Sequence, residues 1–160
     1  MIVFYGKKEK YTSFELLKRV CFLEYNKRIT KEDILFNDNG KPFFKDSKFP
    51  FFSISHSGDY IACVFFDNEI GLDMQKITKI SERLILKFLK TESNDSFIQT
   101  LEWTKFESFG KMKGTGIPPS SDYREGEYLS SYSLSGYIIT VCSKQIKNQP
   151  LQIRYFDKWK

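Results

Sequence analysis

The chain has 160 residues, of which 41% are hydrophobic and 17% aromatic, and its formal net charge is +5. This apolar content is enough for one core or for two small cores in contact, so it excludes an intrinsically disordered protein. The positive charge favours an anionic partner, which could be a nucleic acid, a phosphorylated small molecule or an acidic protein.

The first third of the chain predicts a helix followed by short strands. Thr12-Ser13-Phe14-Glu15 matches a capping box with periodic apolar residues behind it, so a helix of about 13 residues should end near Tyr25-Asn26. Ile34-Leu35-Phe36 predicts a short strand. A turn from Asn37 to Pro42 and an extended piece at Phe43-Phe44 are predicted to follow.

The middle of the chain predicts a hairpin, a further strand and a helix. Strands from Phe51 to Ser55 and from Tyr60 to Phe66 are predicted on either side of a turn, His56-Ser57-Gly58-Asp59. The apolar run from Ile70 to Met74 predicts another strand, and the apolar spacing from Ser81 to Leu89 predicts a helix.

The last part of the chain predicts a helix, a loop and three strands. A helix is predicted to begin at Trp103, and the Pro- and Ser-containing run from Thr115 to Gly126 predicts an irregular loop after it. The residues from Tyr128 to Ser143 alternate in strand fashion around Ser135-Gly136, and a final strand is predicted from Leu151 to Phe156.

Cysteine usage and hydropathy favour a cytoplasmic protein. Cys21, Cys63 and Cys142 are widely spaced among apolar residues, which predicts reduced, buried thiols and neither a disulfide nor a zinc site. No apolar run approaches the roughly 18 residues that span a bilayer, and the start of the chain lacks a signal-peptide pattern. We therefore expect no membrane partner.

A short internal repeat indicates two similar halves. The residues from Ser53 to Ile61 resemble those from Ser131 to Ile139, apart from one extra residue in the first copy. The likeness is either a coincidence or the trace of a pseudo-twofold molecule. In the second case His56 and Leu134 occupy equivalent places, and only the first copy carries chemistry.

Two acidic residues and their neighbours are candidates for a reactive site. On a helix, Glu107 and Lys111 lie one turn apart on one face, where they could divide base and acid work or form an ordinary surface ion pair. An acidic Asp73 in an apolar strand needs a partner, and together with Glu107 it would suit Mg²⁺. His56 is the only histidine in the sequence, so a His-rich metal site is excluded. The hydroxyl of the neighbouring Ser55 is suited to binding phosphate oxygens.

Four motifs resemble, in order and spacing, those of Sfp-type 4′-phosphopantetheinyl transferases. They are Gly40-Lys41-Pro42, Phe52 to Gly58, Ile70 to Gln75, and Trp103 to Gly116. The resemblance implies an α+β fold that is a pseudo-dimer of two similar α+β halves. It implies a single domain, residues 1–160, with halves of about 1–75 and 76–160.

The resemblance also implies an activity. The family transfers 4′-phosphopantetheine from coenzyme A to a serine of an apo acyl or peptidyl carrier protein, with Mg²⁺ as cofactor, and releases adenosine 3′,5′-bisphosphate. Carrier proteins are acidic, which agrees with the basic charge of this chain. Two halves in one chain imply a monomer, and nucleic acid is disfavoured because the lysines are scattered along the sequence.

Roles for individual residues follow from the same resemblance. Asp73 and Glu107 would hold Mg²⁺, with Gln75 as a weak ligand or one that acts through water. Glu107 would be the base towards the incoming serine and Lys111 would stabilise or protonate the leaving phosphate, with His56 as a third catalytic candidate. The candidate contacts to coenzyme A are Lys41, Ser55, His56, Thr12 and Lys111, although a helix N-cap role already explains Thr12.

Two departures from the family pattern keep a second interpretation open. The family has Asp-x-Glu where this chain has Asp73-Met74-Gln75, and an uncharged amide should bind Mg²⁺ more weakly. The N-terminal segment that usually supplies basic contacts to coenzyme A is shorter, and nearby lysines such as Lys7 should compensate only in part. The alternative is a catalytically weakened relative that binds coenzyme A or carrier protein without efficient turnover.

Overall fold

A computed structural model describes residues 1–89, 91–118, 128–144 and 151–156 of the chain, and these form a mixed α+β structure, as predicted. The part of the predicted loop from Thr115 to Gly126 that follows residue 118 lies outside the described residues. The helices are α1 (Ser13–Tyr25), α2 (Glu82–Phe88) and α3 (Ser96–Lys113). The strands are β1 (Ile2–Lys7), β2 (Ile34–Phe36), β3 (Pro42–Phe44), β4 (Phe51–Ser57), β5 (Tyr60–Phe66), β6 (Ile70–Lys76), β7 (Tyr128–Leu134), β8 (Tyr137–Ser143) and β9 (Gln152–Tyr155).

The described strands form two main sheets and one small hairpin. The first sheet has the order β4-β5-β1-β9, the second has the order β6-β8-β7, and β2 pairs with β3 alone. All pairs are antiparallel except β1 and β9, in which Ile2 lies opposite Gln152 and Tyr5 opposite Tyr155. The strand at the C-terminal end of the described chain therefore completes the sheet that contains the N-terminal strand.

The two sheets and two of the helices form four layers. Strand alternation in the first sheet turns Phe4, Cys63 and neighbouring side chains towards α1, whose Leu16 and Leu17 are fully buried. The opposite face, with Val3 and other small side chains, packs on the second sheet. The outer face of the second sheet is covered by apolar side chains of α3: Phe106, Phe109 and Met112. Each sheet is thus covered by one helix, and the two sheets share a core.

The predicted hairpin is present, but its turn is shorter than the sequence suggested. His56 and Ser57 belong to β4, not to the turn, because Gly58 takes a positive φ of 51° and a two-residue turn then suffices. Strand pairing continues to Ser57 opposite Tyr60.

The same register corrects the predicted equivalence of His56 and Leu134. Both hairpins have strands of seven residues and a two-residue turn, so neither copy holds an extra residue. His56 lies opposite Ile61, and its counterpart opposite Ile138 in the second hairpin is Ser133. Leu134 corresponds to Ser57 instead.

The predicted burial of the three cysteines as thiols is confirmed. Cys21, Cys63 and Cys142 are all buried, and none of them is in a disulfide. Burial raises the pKa of Cys21 to about 12 and also raises the pKa of Cys63, so both stay protonated at neutral pH. Among the residues that the structure describes, no helix is long and apolar enough to cross a membrane.

A glycine sets the distance between α3 and β6. A Cβ atom on Gly71 would lie 1.9 Å from the carbonyl oxygen of Ser108 and 2.4 Å from the backbone nitrogen of Met112. Any larger residue would therefore have to push the helix away from the strand. This close approach brings the inner face of α3 to the strand that carries Asp73.

Candidate active site

Asp73 on β6 contacts one side chain from α3 and one from β4. Asp73 lies on β6 with only 3% of its surface exposed. Its Oδ1 accepts a hydrogen bond from Lys111 Nζ on α3 at 2.7 Å and another from Ser55 Oγ on β4 at 2.9 Å. The partner that an acidic residue in an apolar strand requires is thus supplied by an ammonium group and a hydroxyl.

A row of serines on β4 holds β6 in place, and we call Ser53, Ser55 and Ser57 the serine ladder. Because they alternate along the strand, their side chains share one face. Their hydroxyls accept hydrogen bonds from backbone N–H groups of β6: Ser53 from Leu72 at 2.9 Å, Ser55 from Met74 at 3.1 Å and Ser57 from Lys76 at 3.0 Å. Side chains thereby satisfy edge donors of β6 that do not pair with a strand.

Ser55 is the member of the ladder that also enters the site. Its hydroxyl donates to Asp73 and accepts from the N–H of Met74 and from Lys111 Nζ, the latter at 2.9 Å. A hydroxyl offers one donor and two acceptor positions, so these three bonds use its whole capacity. The contact between Ser55 and a coenzyme A phosphate that the family resemblance implies would have to replace one of them.

The second oxygen of Asp73 stands apart from this network. Asp73 Oδ2 is buried and has no hydrogen-bond partner among the described residues. Buried polar atoms are nearly always partnered, so an orphaned carboxylate oxygen indicates a place for an absent ligand. A hard cation such as Mg²⁺ fits this donor.

The acidic donors near that atom are few. No group of three or more His, Cys, Asp or Glu side chains suited to a metal ion occurs in the described part of the chain. A cation here would depend on Asp73, Glu107 and neutral donors, of which Gln75 is the nearest in sequence. The amide oxygen of Gln75 lies 3.4 Å from Ser57 Oγ, a long hydrogen bond.

Glu107 lies one turn before Lys111 on α3, with its Oε2 3.9 Å from Lys111 Nζ. Burial raises the pKa of Glu107, the negative charge of Asp73 raises it further, and Lys111 acts in the opposite direction. The ion pair predicted from the sequence is therefore present, but it is half-buried and Lys111 is closer to Asp73. A carboxylate with a raised pKa is a stronger base than an exposed one.

An open cavity of about 330 Å³ lies beside these groups. Its lining includes Glu107, Lys111 and Lys41. A second, mostly apolar groove of about 400 Å³ shares Pro42, Phe52 and Ile54 with it and runs to Ser13 at the start of α1. The two spaces together could hold an elongated ligand.

Lys41 is positioned by the end of α3. Its Nζ donates to the carbonyl oxygen of Met112 at 2.7 Å, and burial lowers the pKa of Lys41. Asn37 and Asn39 both donate side-chain hydrogen bonds to the carbonyl oxygen of Gly114, at 2.9 and 3.0 Å. The loop between β2 and β3 thus caps the C-terminal end of α3 and carries Lys41 to the cavity.

Neither His56 nor Thr12 is among the hydrogen-bond or ion-pair partners that the described structure gives Asp73, Glu107, Lys111 and Ser55. His56 is exposed, and strand alternation puts it on the face of β4 opposite to the serine ladder. Thr12 caps α1: its hydroxyl accepts from the N–H of Glu15 at 3.2 Å, and Glu15 accepts from the N–H of Thr12 at 2.8 Å. The structure therefore brings together Asp73, Glu107, Lys111 and Ser55, with Lys41 on the same cavity.

Sequence reasoning missed the capping residues Asn37 and Asn39 and the structural part played by the serine ladder. The alternation of Ser53, Ser55 and Ser57 was a usable signal, because polar side chains that share one buried face of a strand need hydrogen-bond partners. Nothing local indicates that Asn37 and Asn39 reach a helix end more than 70 residues away in sequence.

The sequence is similar to several curated 4′-phosphopantetheinyl transferases. The 4′-phosphopantetheinyl transferase Sfp of Bacillus subtilis (strain 168) is 28% identical over 174 residues, which cover 88% of this chain and 77% of that protein. The transferase gsp of Aneurinibacillus migulanus is 29% identical over 162 residues, covering 91% of this chain. The transferase ffp of Bacillus subtilis is 30% identical over 131 residues, covering 71%.

The extent of these matches differs among the relatives. The chain spans less than two thirds of gsp and ffp, namely 63% and 57% of their lengths. No protein-family model matches the sequence. These three matches nevertheless cover most of the chain. The chain is therefore similar, over most of its length, to Sfp-type 4′-phosphopantetheinyl transferases.

Proposed function

We propose that the protein transfers 4′-phosphopantetheine from coenzyme A to a serine of an apo acyl or peptidyl carrier protein and releases adenosine 3′,5′-bisphosphate. The observation that carries the proposal is the cluster of Asp73, Glu107 and Lys111 in contact with an open cavity, in a chain related to such transferases. In the reaction, the serine oxygen forms a bond to the phosphorus of the pantetheine arm, and the pyrophosphate bond to the bisphosphate breaks.

Glu107 is the proposed base. As the serine oxygen attacks, its proton passes to a carboxylate oxygen of Glu107, either directly or through one water molecule. The raised pKa of Glu107 favours this transfer, because a carboxylate that is less stable as an anion accepts a proton more readily. Its position at the wall of the cavity leaves the carboxylate accessible to a substrate.

Lys111 is the proposed partner of the leaving group. Its ammonium is anchored by Asp73 and Ser55 and also lines the cavity, so it can face the negative charge that develops on the departing phosphate. It can donate a proton or a hydrogen bond to that oxygen. Because Lys111 lies one helical turn from Glu107, proton donation to the leaving group and proton uptake from the serine occur at different side chains.

Asp73, through its unpartnered Oδ2, and Glu107 are the residues that would hold Mg²⁺, with Gln75 as a weaker or water-mediated donor. When bound, Mg²⁺ would neutralise charge on the pyrophosphate. The Lys111 ammonium contacts Asp73 Oδ1, so Oδ2 would be the oxygen that binds Mg²⁺.

Coenzyme A is proposed to occupy the cavity and the groove joined to it. Lys41, held by the carbonyl oxygen of Met112, would face its phosphates. Strand alternation puts His56 on the same face of β4 as Phe52 and Ile54, which line both spaces, and Thr12 directly precedes Ser13 at the end of the groove. A contact of either residue with coenzyme A, and a catalytic part for His56, are proposed from the family resemblance. The same holds for a direct phosphate contact by Ser55.

The larger organisation is proposed on similar grounds. The arrangement of one helix over each of two sheets that share a core supports a pseudo-dimer of two α+β halves. The division at about residues 1–75 and 76–160 is proposed from the family resemblance, and the sheets cross it, since β6 belongs to the second sheet and β9 to the first. We further propose a cytoplasmic monomer whose basic charge attracts an acidic carrier protein, with no nucleic-acid partner. The matched relatives are all named as transferases, which does not favour a protein that only binds.

Mass spectrometry of a carrier protein tests the proposal. The protein is incubated with coenzyme A, Mg²⁺ and each of several apo carrier proteins, with a carrier whose acceptor serine is changed to alanine as the control. A mass gain of one phosphopantetheine arm on the intact carrier alone supports transfer. No gain on any carrier, with coenzyme A binding still measurable, would leave the weakened relative as the better description.

A further inference from the structure

One member of the serine ladder, Ser55, makes side-chain contacts that are not needed to dock β6. Ser53, Ser55 and Ser57 each accept one N–H group of β6 at 2.9 to 3.1 Å, which is enough to dock the strand. Ser55 alone, among the contacts of the described residues, also bonds both Asp73 Oδ1 and Lys111 Nζ. This second set of contacts asks for a separate explanation.

We infer that Ser55 is a positioning residue, whose hydroxyl fixes the Asp73 carboxylate and the Lys111 ammonium so that Asp73 offers Oδ2 to a cation. The inference rests on the proposed metal role of Asp73. It differs from the family resemblance, which makes Ser55 a contact to coenzyme A.

The two oxygens of Asp73 have unequal surroundings. Oδ1 is taken by an ammonium at 2.7 Å and a hydroxyl at 2.9 Å, whereas Oδ2 is buried with no partner among the described residues. A carboxylate held in this way cannot turn freely, so Oδ2 remains the oxygen without a partner among the described residues. Partners behind a metal ligand set its orientation, and their loss typically costs 10- to 100-fold in metal affinity.

The bond from Lys111 to Ser55 completes the arrangement. Lys111 is a flexible side chain, and one acceptor would leave its ammonium free to swing towards Oδ2. Two acceptors at 2.7 and 2.9 Å hold it on the Oδ1 side. The hydroxyl of Ser55 therefore keeps the Lys111 ammonium away from Asp73 Oδ2, the oxygen proposed to bind the metal.

Two single variants separate positioning from the general stability of the ladder. Ser55→Ala removes the acceptor for the Met74 N–H together with both contacts in the site. Ser53→Ala removes the matching acceptor for the Leu72 N–H and touches neither Asp73 nor Lys111 through that bond. Should Ser55→Ala fail to fold, Ser55→Cys keeps a similar volume with a much weaker hydrogen-bonding group.

The measurements are the Kd for Mg²⁺ by titration calorimetry with coenzyme A present, and KM and kcat in the transfer assay. Ser55→Ala is expected to raise the Kd for Mg²⁺ roughly 10- to 100-fold and to lower kcat more than it raises the KM for coenzyme A. Ser53→Ala should leave the Kd for Mg²⁺ close to that of the parent protein.

Three results would overturn the inference. One is an equal Kd for Mg²⁺ in the two alanine variants. Another is a raised KM for coenzyme A with Mg²⁺ binding unchanged in Ser55→Ala, which would make Ser55 a substrate contact. The third is a parent protein that transfers the arm without binding Mg²⁺. Absence of transfer by the parent protein instead contradicts the proposed function, and the comparison of Mg²⁺ binding still decides the role of Ser55.

Discussion

Glu107 carries a carboxyl group in surroundings that favour its neutral form. Burial and the charge of Asp73 raise its folded-state pKa above the value of about 4.5 expected in the unfolded chain. The folded protein therefore binds the proton more tightly than the unfolded chain does. Stability from this group is lost as the pH rises through the interval between the two pKa values.

Glu107→Gln should separate function from stability. Loss of the base should nearly abolish transfer, and removal of the disfavoured charge should raise Tm at pH 7 by a few degrees. The gain should vanish near pH 4, where the carboxyl group is largely protonated in both states. Melting curves at the two pH values, without Mg²⁺, measure the effect, and Glu82→Gln on exposed α2 is the control. A substantial remaining transfer rate would show that Glu107 is not the base.

Gln75 offers a neutral donor next to the Asp73 cluster. Gln75→Glu adds a charge where the amide now lies 3.4 Å from Ser57 Oγ. If the side chain contacts the cation, the apparent Kd for Mg²⁺ should fall, by roughly tenfold if the new contact is worth about 1.4 kcal/mol. Calorimetric titration measures this, and an unchanged Kd would remove Gln75 from the metal ligands.

At the scale of elements, the site depends on how closely α3 approaches β6. Gly71 is the contact point, because its missing side chain leaves room for the backbone of Ser108 and Met112. Glu107 and Lys111 are carried by the same stretch of helix. A shift of α3 would therefore move both groups relative to Asp73.

Gly71→Ala should destabilise the fold and lower activity together. The added Cβ meets backbone atoms that cannot turn aside, so we expect a loss of about 1–3 kcal/mol in the free energy of unfolding and a large fall in kcat. Urea unfolding and the transfer assay measure the two effects. Gly6→Ala is the matched control, since the nearest neighbours of its Cβ would be side-chain atoms of Tyr11, at 3.0 Å, and of Phe156, at 3.8 Å, and not backbone atoms. Equal losses in both variants would contradict this account of α3.

Elements with local signals were predictable from the sequence. The capping box at Thr12 correctly predicted the start of α1, and apolar alternation predicted the two hairpins. The predicted end of β4 was two residues too early, because the sequence does not show that Gly58 and Asp59 alone form the turn. Glu107 and Lys111 could be paired because helix spacing is local. Their contact with Asp73 and Ser55 depends on two strands docking through side chains, which no local pattern predicts.

At the scale of the whole molecule, the two sheets stabilise each other. Val3 and Val64 of the first sheet pack against Leu72, Ile139 and Val141 of the second. All five are almost completely buried. The cluster of Asp73, Ser55 and Lys111 bridges the same two sheets, so its geometry should persist only while both are folded.

Ile139→Ala tests this dependence. Truncating a fully buried side chain in the shared core should cost about 2–5 kcal/mol. Because the sheets share this core, unfolding followed by fluorescence and by far-ultraviolet circular dichroism should stay coincident, with one lower midpoint for both signals. Leu86→Ala, at an exposed position on α2, is the control. Two separated transitions would mean that the halves fold independently.

The serine ladder has a further consequence for the behaviour of the chain in a crowded solution. An edge strand with unpaired N–H groups is a template on which a strand of another molecule can add. In β6 the N–H groups of Leu72, Met74 and Lys76 are already bonded to serine hydroxyls of the same chain. The residues that hold Asp73 in place therefore also protect this edge from intermolecular sheet formation, and their loss would expose the protein to aggregation as well as to inactivation.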